Sequence, residues 1–149
     1  MSSAPGPFLH QLRVRFADED HAGIVYYPRF FHFFHVAFEE MFFARLGGAA
    51  NYRELLDQRK VGFPAVRAEI DFAGPLRFGD LVEIELSVDR IGTKSVSFAY
   101  RASRCEGDER HPAAAGKVTC AAVDLATFRS IPIPDDLRAL FEALRRDVA

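Results

Sequence analysis

Apolar and polar residues alternate along several stretches of the chain, which is the pattern of strands that bury one face. These stretches are residues 12–16, 66–72, 82–89 and 96–102. A last strand is predicted over residues 116–125, after a glycine- and charge-containing segment at 106–111 that is typical of a loop. A turn is predicted at Gly92-Thr93, between the third and fourth of these strands.

A different pattern fills residues 28–46. Pro28 suits the first turn of a helix, where its missing N–H would be unpaired anyway, and Gly47-Gly48 suits the end of one. The residues between them leave no wide polar face: Phe30, Phe31, Phe33, Phe34, Val36, Ala37, Phe38, Met41, Phe42 and Phe43. A helix that is apolar nearly all round is buried nearly all round. Shorter helices are predicted over residues 52–58 and 135–146.

The order of these elements is one strand, a buried helix and then four strands. An antiparallel sheet curled around the long helix satisfies this order, because the helix fills the concave side of the sheet. This is the hotdog arrangement, an α+β fold. We predict one such domain over residues 1–149, with residues 1–7 as a disordered tail. A single curled sheet leaves strand edges, so we expect a homodimer or homotetramer.

Composition limits the classes of partner. The 149 residues carry a formal net charge of −2, which gives no indication of nucleic-acid binding. No stretch is apolar over the 18 or so residues needed to cross a membrane, and no secretory signal pattern is visible. The only cysteines, Cys105 and Cys120, have no metal-binding spacing and are typical of reduced thiols. We therefore expect a cytoplasmic protein without a nucleic-acid or membrane partner.

Three acids, Asp18, Glu19 and Asp20, lie in the predicted loop before the buried helix. A helix N-terminus presents unpaired N–H groups that can hold a carbonyl oxygen as it gains negative charge. A carboxylate beside it can attack a thioester carbonyl or activate a water molecule. Gly23 would let a ligand approach the backbone closely. Acids before a helix are also common caps, and their spacing alone favours capping.

The run FADEDHAGIVYYPRFF at residues 16–31 resembles the signature of the 4-hydroxybenzoyl-CoA thioesterase family. That signature is approximately aromatic-x-Asp-x-Asp-x-Ala-Gly-Ile-Val-aromatic-Tyr-Pro-x-aromatic. Weaker likeness extends through VGFPAVRAEIDFAGPLRFGDLVEIEL and RIGTKSVSF further along the chain. The resemblance implies a hotdog fold and hydrolysis of an acyl-CoA to the free acid and CoA. It implies no metal or other cofactor, since CoA is part of the substrate.

The resemblance also implies roles for individual residues. Asp20 would be the catalytic carboxylate, and the Tyr27 backbone N–H would polarise the thioester carbonyl, with Gly23 in the same loop. Further residues would contact the substrate, the last four at its CoA portion: His21, Tyr26, His35, Thr93, Lys94, Ser95 and Arg129. His21 departs from the proline common in the family. Tyr27 replaces the histidine of relatives that act on short aliphatic acyl groups, which favours an aromatic acyl group.

Alternative functions remain open at the level of sequence. An acyl carrier protein could replace CoA as the carrier of the acyl group. His32, His35 and Glu39 share one helix flank, which a metal site or a hotdog dehydratase would require, although lining an acyl pocket or an interface is the simpler interpretation. A non-catalytic acyl-CoA-binding protein is a further alternative, which the intact Asp20 loop disfavours. The serine-hydrolase motif Gly-x-Ser-x-Gly is absent.

Overall fold

The computed structural model describes residues 5–146. Its helices are α1 (Arg29–Leu46), α2 (Ala49–Asp57) and α3 (Asp135–Glu142), and a short 3-10 turn spans Phe16–Asp18. The strands are, in chain order, β1 (Phe8–Arg13), β2 (Val61–Gly62), β3 (Ala65–Phe72), β4 (Leu81–Ile91), β5 (Ser95–Glu106), β6 (Glu109–Ala121), β7 (Val123–Asp124) and β8 (Arg129–Ser130).

Five of the strands form one antiparallel sheet in the order β1-β4-β5-β6-β3. The apolar positions of β4 and β5 are buried, as their alternation predicts, and form one core cluster with α1: Val82, Ile84, Leu86, Val88, Val96, Phe98, Tyr100 and Ala102. The short strands β2, β7 and β8 form a second, small sheet. The predicted hotdog arrangement, a sheet wrapped around one long helix, is confirmed.

Helix α1 occupies the predicted position, with Pro28 at its N-cap and Gly47 at its C-cap in the left-handed conformation. Seven of its side chains are buried: Phe30, Phe33, Phe34, Ala37, Phe38, Met41 and Phe42. Phe34 lies flat on Tyr100 of β5, with ring centroids 4.7 Å apart and an interplanar angle of 11°. Gly116 of β6 makes room for this stack, because a Cβ there would lie 2.7 Å from Phe34 Cε2.

Several boundaries differ from the predictions: α2 begins at Ala49, three residues early, and β6 begins at Glu109, seven residues early. The first strand is β1, and the chain turns after it, so that Phe16 is 80% exposed instead of completing the alternation. The predicted loop at 106–111 is a tight turn between β5 and β6, made possible by Gly107 at φ 58°. Helix α3 ends at Glu142, four residues early, although Leu144 beyond it is fully buried.

The two edges of the sheet have different surroundings. Strand β3 is exposed along almost its whole length, and Val66 and Phe72 are 65% and 50% exposed. Near the edge formed by β1, the Gly6 N–H donates to the Ala143 carbonyl at 2.7 Å, and residues 1–4 of the predicted tail lie outside the described residues. No helix among residues 5–146 is long and apolar enough to cross a membrane.

Candidate active site

The loop between β1 and α1 is fastened to the segment that precedes β4. The Val14 N–H donates to the Asp80 carbonyl at 2.9 Å, and the Gly79 N–H donates back to the Val14 carbonyl at 3.0 Å. Further along, the Val25 N–H donates to the Leu76 carbonyl at 2.8 Å. These main-chain hydrogen bonds fix the position of the loop relative to the sheet. A catalytic site needs its reacting groups held in fixed positions in this way.

Two of the three loop acids have structural contacts. Asp18 is buried, and its Oδ2 accepts from the Arg15 N–H at 2.8 Å while its Oδ1 lies 3.0 Å from Arg29 Nε in the first turn of α1. Glu19 Oε2 accepts from the Phe78 N–H at 2.8 Å. Both carboxylates therefore join the loop to its neighbours. Neither caps α1, whose N-cap Pro28 receives no side-chain hydrogen bond, so the helix capping that spacing alone favours is not what these acids do.

Asp20 differs from both. It is exposed, and its Oδ1 accepts only the local Ala22 N–H at 2.8 Å, which leaves Oδ2 without a hydrogen-bond donor among residues 5–146. The Asp20 N–H and carbonyl pair with the Ile24 carbonyl and the Gly23 N–H, at 2.9 and 3.1 Å, and close the tight loop. Gly23 has φ 80°, and a Cβ there would meet no atom within 4 Å, so backbone conformation rather than space requires glycine.

The start of α1 supplies the predicted donor. The Tyr26 and Tyr27 carbonyls accept from the Arg29 and Phe30 N–H groups at 2.8 and 3.2 Å, which sets the first turn. The Tyr27 N–H donates to no acceptor within residues 5–146, and Pro28 has no N–H to compete with it. A carbonyl oxygen placed there would receive a hydrogen bond together with the positive end of the helix dipole.

Three cavities open along the N-terminal half of α1. The first, about 430 Å³, is lined by Asp20, Tyr26 and His32. The second, about 310 Å³, is lined by Tyr27, Phe30, Phe72 and neighbouring apolar residues. The third, also about 310 Å³, lies further along the groove between α1 and the edge strand β3 and includes His35; we call it the groove cavity. His21 is exposed in the loop beside the first cavity.

The residues predicted to hold CoA lie together at another place in the fold. Thr93 and Lys94 form the turn after β4, which the Gly92 N–H closes on the Ser95 carbonyl at 2.8 Å. The Lys94 carbonyl accepts from the Ala122 N–H at 2.8 Å, next to the β7–β8 pair that carries Arg129. The Asp20 loop lies at the opposite end of β4, and 11 residues of strand span roughly 33 Å.

The helix flank with the two histidines does not form a compact ligand set. His35 Nε2 lies 3.2 Å from Glu39 Oε2, and both side chains are about half exposed, as in an ordinary i, i+4 surface pair. Within residues 5–146, the only group with three clustered metal-ligand atoms is Glu106, Glu109 and His111, at the exposed β5–β6 turn. His111 contacts both glutamates there, at 2.9 and 3.5 Å.

Burial makes Cys120 unsuited to a nucleophilic role. Desolvation raises the pKa of its thiol to about 12, so the reactive thiolate is scarce near neutral pH. Cys105 is partly exposed on β5 and lines none of the three cavities along α1, and neither cysteine is in a disulfide.

Several residues of the site region have no signal in the local sequence. Arg29 anchors Asp18, and Arg138 of α3 braces the β4–β5 turn by donating to the Gly92 carbonyl at 2.9 Å. Phe72 reaches Tyr27 from β3, with ring centroids 6.3 Å apart, and Tyr100 lines the groove cavity from β5. Each of these contacts joins residues far apart in the chain, so only tertiary structure reveals it.

A sheet wrapped around a buried helix, with a free carboxylate in the loop before that helix, defines the class of hotdog-fold thioesterases. Residues 14–141 match the Thioesterase-like superfamily. The chain belongs to this family, which confirms the fold and the thioesterase class predicted from the signature at residues 16–31.

Known proteins resemble the chain over most of its length. It is 32% identical to the 1,4-dihydroxy-2-naphthoyl-CoA hydrolase of Thermosynechococcus vestitus, over 87% of this chain and 85% of that one. The solved BH1999 gentisyl-coenzyme A thioesterase is 32% identical, covers 89% of this chain and 98% of its own, and superposes with a TM-score of 0.75. A 4-hydroxybenzoyl CoA thioesterase complex shares the fold, with a TM-score of 0.80 at 24% identity over 91% of this chain and 98% of that one.

Proposed function

We propose that the chain hydrolyses an aromatic acyl-CoA thioester, with Asp20 as the catalytic carboxylate and the Tyr27 N–H as the donor to the carbonyl oxygen. One observation carries this proposal. Of the three loop acids, Asp20 alone is exposed and makes no hydrogen bond or ion pair outside the tight loop at residues 20–24, and the Tyr27 N–H, unpaired among residues 5–146, begins the adjacent helix. In one route Asp20 attacks the carbonyl carbon, the C–S bond breaks to release CoA, and water hydrolyses the resulting mixed anhydride to the free acid and Asp20. In the other route Asp20 takes a proton from a water molecule that attacks the carbonyl, and the C–S bond breaks to give the free acid and CoA.

The choice of an aromatic acyl group rests on the residues around the Tyr27 N–H. Beside Tyr27, the second cavity is walled by Phe30 and Phe72, whose rings meet edge to face with centroids 5.2 Å apart. Flat apolar walls suit a planar acyl group, since aromatic rings pack favourably in stacked and edge-to-face geometries. The named relatives, which act on naphthoyl- and gentisyl-CoA, support the same substrate class.

The test is release of free thiol from a matched panel of benzoyl-, naphthoyl-, phenylacetyl- and short aliphatic CoA esters, with the same acyl groups on acyl carrier protein. We expect the highest kcat/KM for the aryl-CoA esters. A preference for aliphatic esters would contradict the aromatic assignment, and a preference for the protein carrier would contradict CoA as the carrier. The absence of hydrolysis in the whole panel would contradict the proposed function.

A homo-oligomer with composite active sites is part of the proposal. Strand β3 presents an unpaired edge with exposed Val66 and Phe72, which is the kind of edge that a second copy can extend. The distance of roughly 33 Å along β4 separates Asp20 from Lys94 in one chain. We infer that the Lys94 serving a given Asp20 belongs to a second copy of the chain.

Lys94→Ala is expected to raise KM for acyl-CoA several-fold and to change kcat little. Lys94 is exposed and would contact a CoA phosphate far from the reacting carbonyl, so its binding energy is nearly equal in the ground and transition states. The effect should shrink at high salt, because an exposed phosphate contact is screened, and on an acyl-pantetheine that lacks the nucleotide. An equal loss on both substrates would indicate a role in turn stability instead.

Mixed oligomers test whether Lys94 acts across subunits. When Asp20→Asn and Lys94→Ala chains are combined, each active Asp20 belongs to a chain that lacks Lys94. A composite site then takes Lys94 from the Asp20→Asn partner and keeps the wild-type KM. A site within one chain shows the raised KM of Lys94→Ala alone, and that result would contradict the composite site.

A further inference from the structure

The groove cavity contains a buried polar group that the proposed chemistry does not use. It is lined almost entirely by apolar side chains from α1, β3, β5 and β6 and the segment before β3: Phe31, Phe34, Phe38, Phe63, Ala65, Ala68 and Val118. Its polar lining groups are His35 at the rim, the Cys120 thiol and the Tyr100 hydroxyl. Cavities of this kind use a few placed polar groups to select a ligand.

Tyr100 is 97% buried, with 3% of its surface exposed. Its hydroxyl makes no hydrogen bond to any described residue, and it is not among the fully enclosed unpaired atoms. Tyr100 borders two cavities, one of them shared with Ala99 and Arg101, but its ring stacks on Phe34 of α1, which places the side chain on the side of the groove cavity. Burial raises the pKa of the Tyr100 hydroxyl well above its usual value, so the group stays protonated and able to donate. A buried hydroxyl without a partner costs free energy unless a ligand or water supplies one.

The ring that carries this hydroxyl is held rigidly. It stacks on Phe34 at 4.7 Å, and Gly116, directly opposite Tyr100 in the β5–β6 pair, admits the Phe34 ring where a side chain would collide with it. A hydroxyl fixed on a rigid, packed ring discriminates between ligands better than one on a mobile side chain, because little ordering is needed on binding.

Helix α1 and strand β3 border both the groove cavity and the second cavity beside Tyr27, although the two cavities have no lining residue in common. Phe72 of β3 lies beside Tyr27, and Ala68 and Ala65, further back along the same strand, line the groove cavity. On α1, the cavity begins at Phe31, one turn beyond Tyr27, and is centred near Phe34. Seven residues of helix separate Tyr27 from Phe34, which corresponds to roughly 10 Å along the axis. A two-ring acyl group whose carbonyl meets the Tyr27 N–H has about this length.

We propose that the groove cavity receives the distal end of the acyl group and that the Tyr100 hydroxyl hydrogen-bonds a polar oxygen carried there. Tyr100 is then a specificity-determining residue, and the preferred substrates are two-ring aryl-CoA esters with a hydroxyl or carbonyl oxygen far from the thioester. This inference rests on the proposed function and narrows its substrate class. A site built to hydrogen-bond a substrate oxygen rejects the analogue without it, since its own polar group is then left unpaired.

The test compares 6-hydroxy-2-naphthoyl-CoA with 2-naphthoyl-CoA, a pair that differs by one distal hydroxyl. The wild-type chain should prefer the hydroxylated ester by about 10-fold or more in kcat/KM. Tyr100→Phe keeps the stacked ring and removes only the hydroxyl, so it should abolish the preference. We expect kcat/KM to fall about 10-fold for the hydroxylated ester and to change less than about 2-fold for the plain one.

Tyr52→Phe is the control, because the Tyr52 ring, like that of Tyr100, stacks on an α1 phenylalanine, whereas Tyr52 is only half-buried and does not line the groove cavity. It should leave the preference unchanged. If Tyr100→Phe lowers kcat/KM equally for both esters, or if the wild-type chain shows no preference between them, the inference is wrong. The proposed function would still stand in either case, provided that hydrolysis depends on Asp20. Failure of the wild-type chain to hydrolyse either ester would overturn this inference alone if benzoyl-CoA is still hydrolysed, and would overturn the proposed function as well if the whole panel is inert.

Discussion

Asp20→Asn is expected to fold as the native chain does and to lose hydrolysis by about 100-fold or more. The Asn Oδ1 can still accept the Ala22 N–H, so the tight loop keeps its shape. What the substitution removes is the negative oxygen, which is required both to attack the thioester and to activate water. Steady-state kcat on the best CoA ester of the panel, with thermal unfolding as a check on folding, measures the effect.

Glu19→Gln is the control for this substitution. It also neutralises one loop carboxylate, and its amide oxygen can still accept the Phe78 N–H. Its kcat should stay within a few-fold of the wild type, because the Glu19 carboxylate is held by the Phe78 N–H, outside the tight loop that carries Asp20. If Asp20→Asn keeps more than about a tenth of wild-type kcat, far above the residual expected without a catalytic base, then the assignment of Asp20 is wrong.

Val66→Asp is expected to dissociate the oligomer and to abolish most activity with it. Val66 is 65% exposed, so the fold of one chain should tolerate a charge there. In an oligomer that pairs β3 with β3, each new aspartate would lose water in the interface, and burying a charge there is strongly unfavourable. The sedimentation coefficient and kcat/KM, measured over the same range of protein concentration, should both be lower in the variant than in the wild type.

Leu9→Asp provides the matched control on the other edge of the sheet, since Leu9 is 54% exposed on β1. It should leave both the oligomer and the activity unchanged. A Val66→Asp monomer with wild-type kcat/KM would contradict the composite site, and dissociation by Leu9→Asp alone would place the interface on β1.

Periodicity predicted the buried parts of α1, β4 and β5, but not the burial of β3, whose apolar positions alternate in the same way and are nearly all exposed in one chain. Buried positions are occupied by apolar residues, so the spacing of apolar residues in the sequence shows which face of an element is buried. This applies to the ten apolar positions predicted for α1 and to the alternation in β4 and β5. The errors lie where backbone conformation decides: the chain turns away after Arg13, and Gly107 allows a tight turn where a longer loop was predicted. Local composition does not distinguish these alternatives, because both are polar and contain glycine or charge.

The candidate site was predictable only in part for a related reason. The segment from Asp18 to Tyr27 is contiguous, so its signature and its geometry can be inferred together. The separate contacts of the three acids depend on Arg29 and Phe78, and the groove depends on β3 lying beside α1. The sheet order that places β3 next to β6 is a long-range property, which no local pattern specifies.

That sheet order also has a consequence for how the chain folds. Strands β4, β5 and β6 are consecutive hairpins, whereas β1 must find β4 across the separation between Arg13 and Leu81. Closing long loops costs more entropy, so we expect the central hairpins to form first and β1 to join late. Pulse-labelled hydrogen exchange during refolding should protect β5 amides before those of β1. Because the Asp20 loop follows β1 directly, catalytic competence should return only with this last step, after most of the secondary structure has formed.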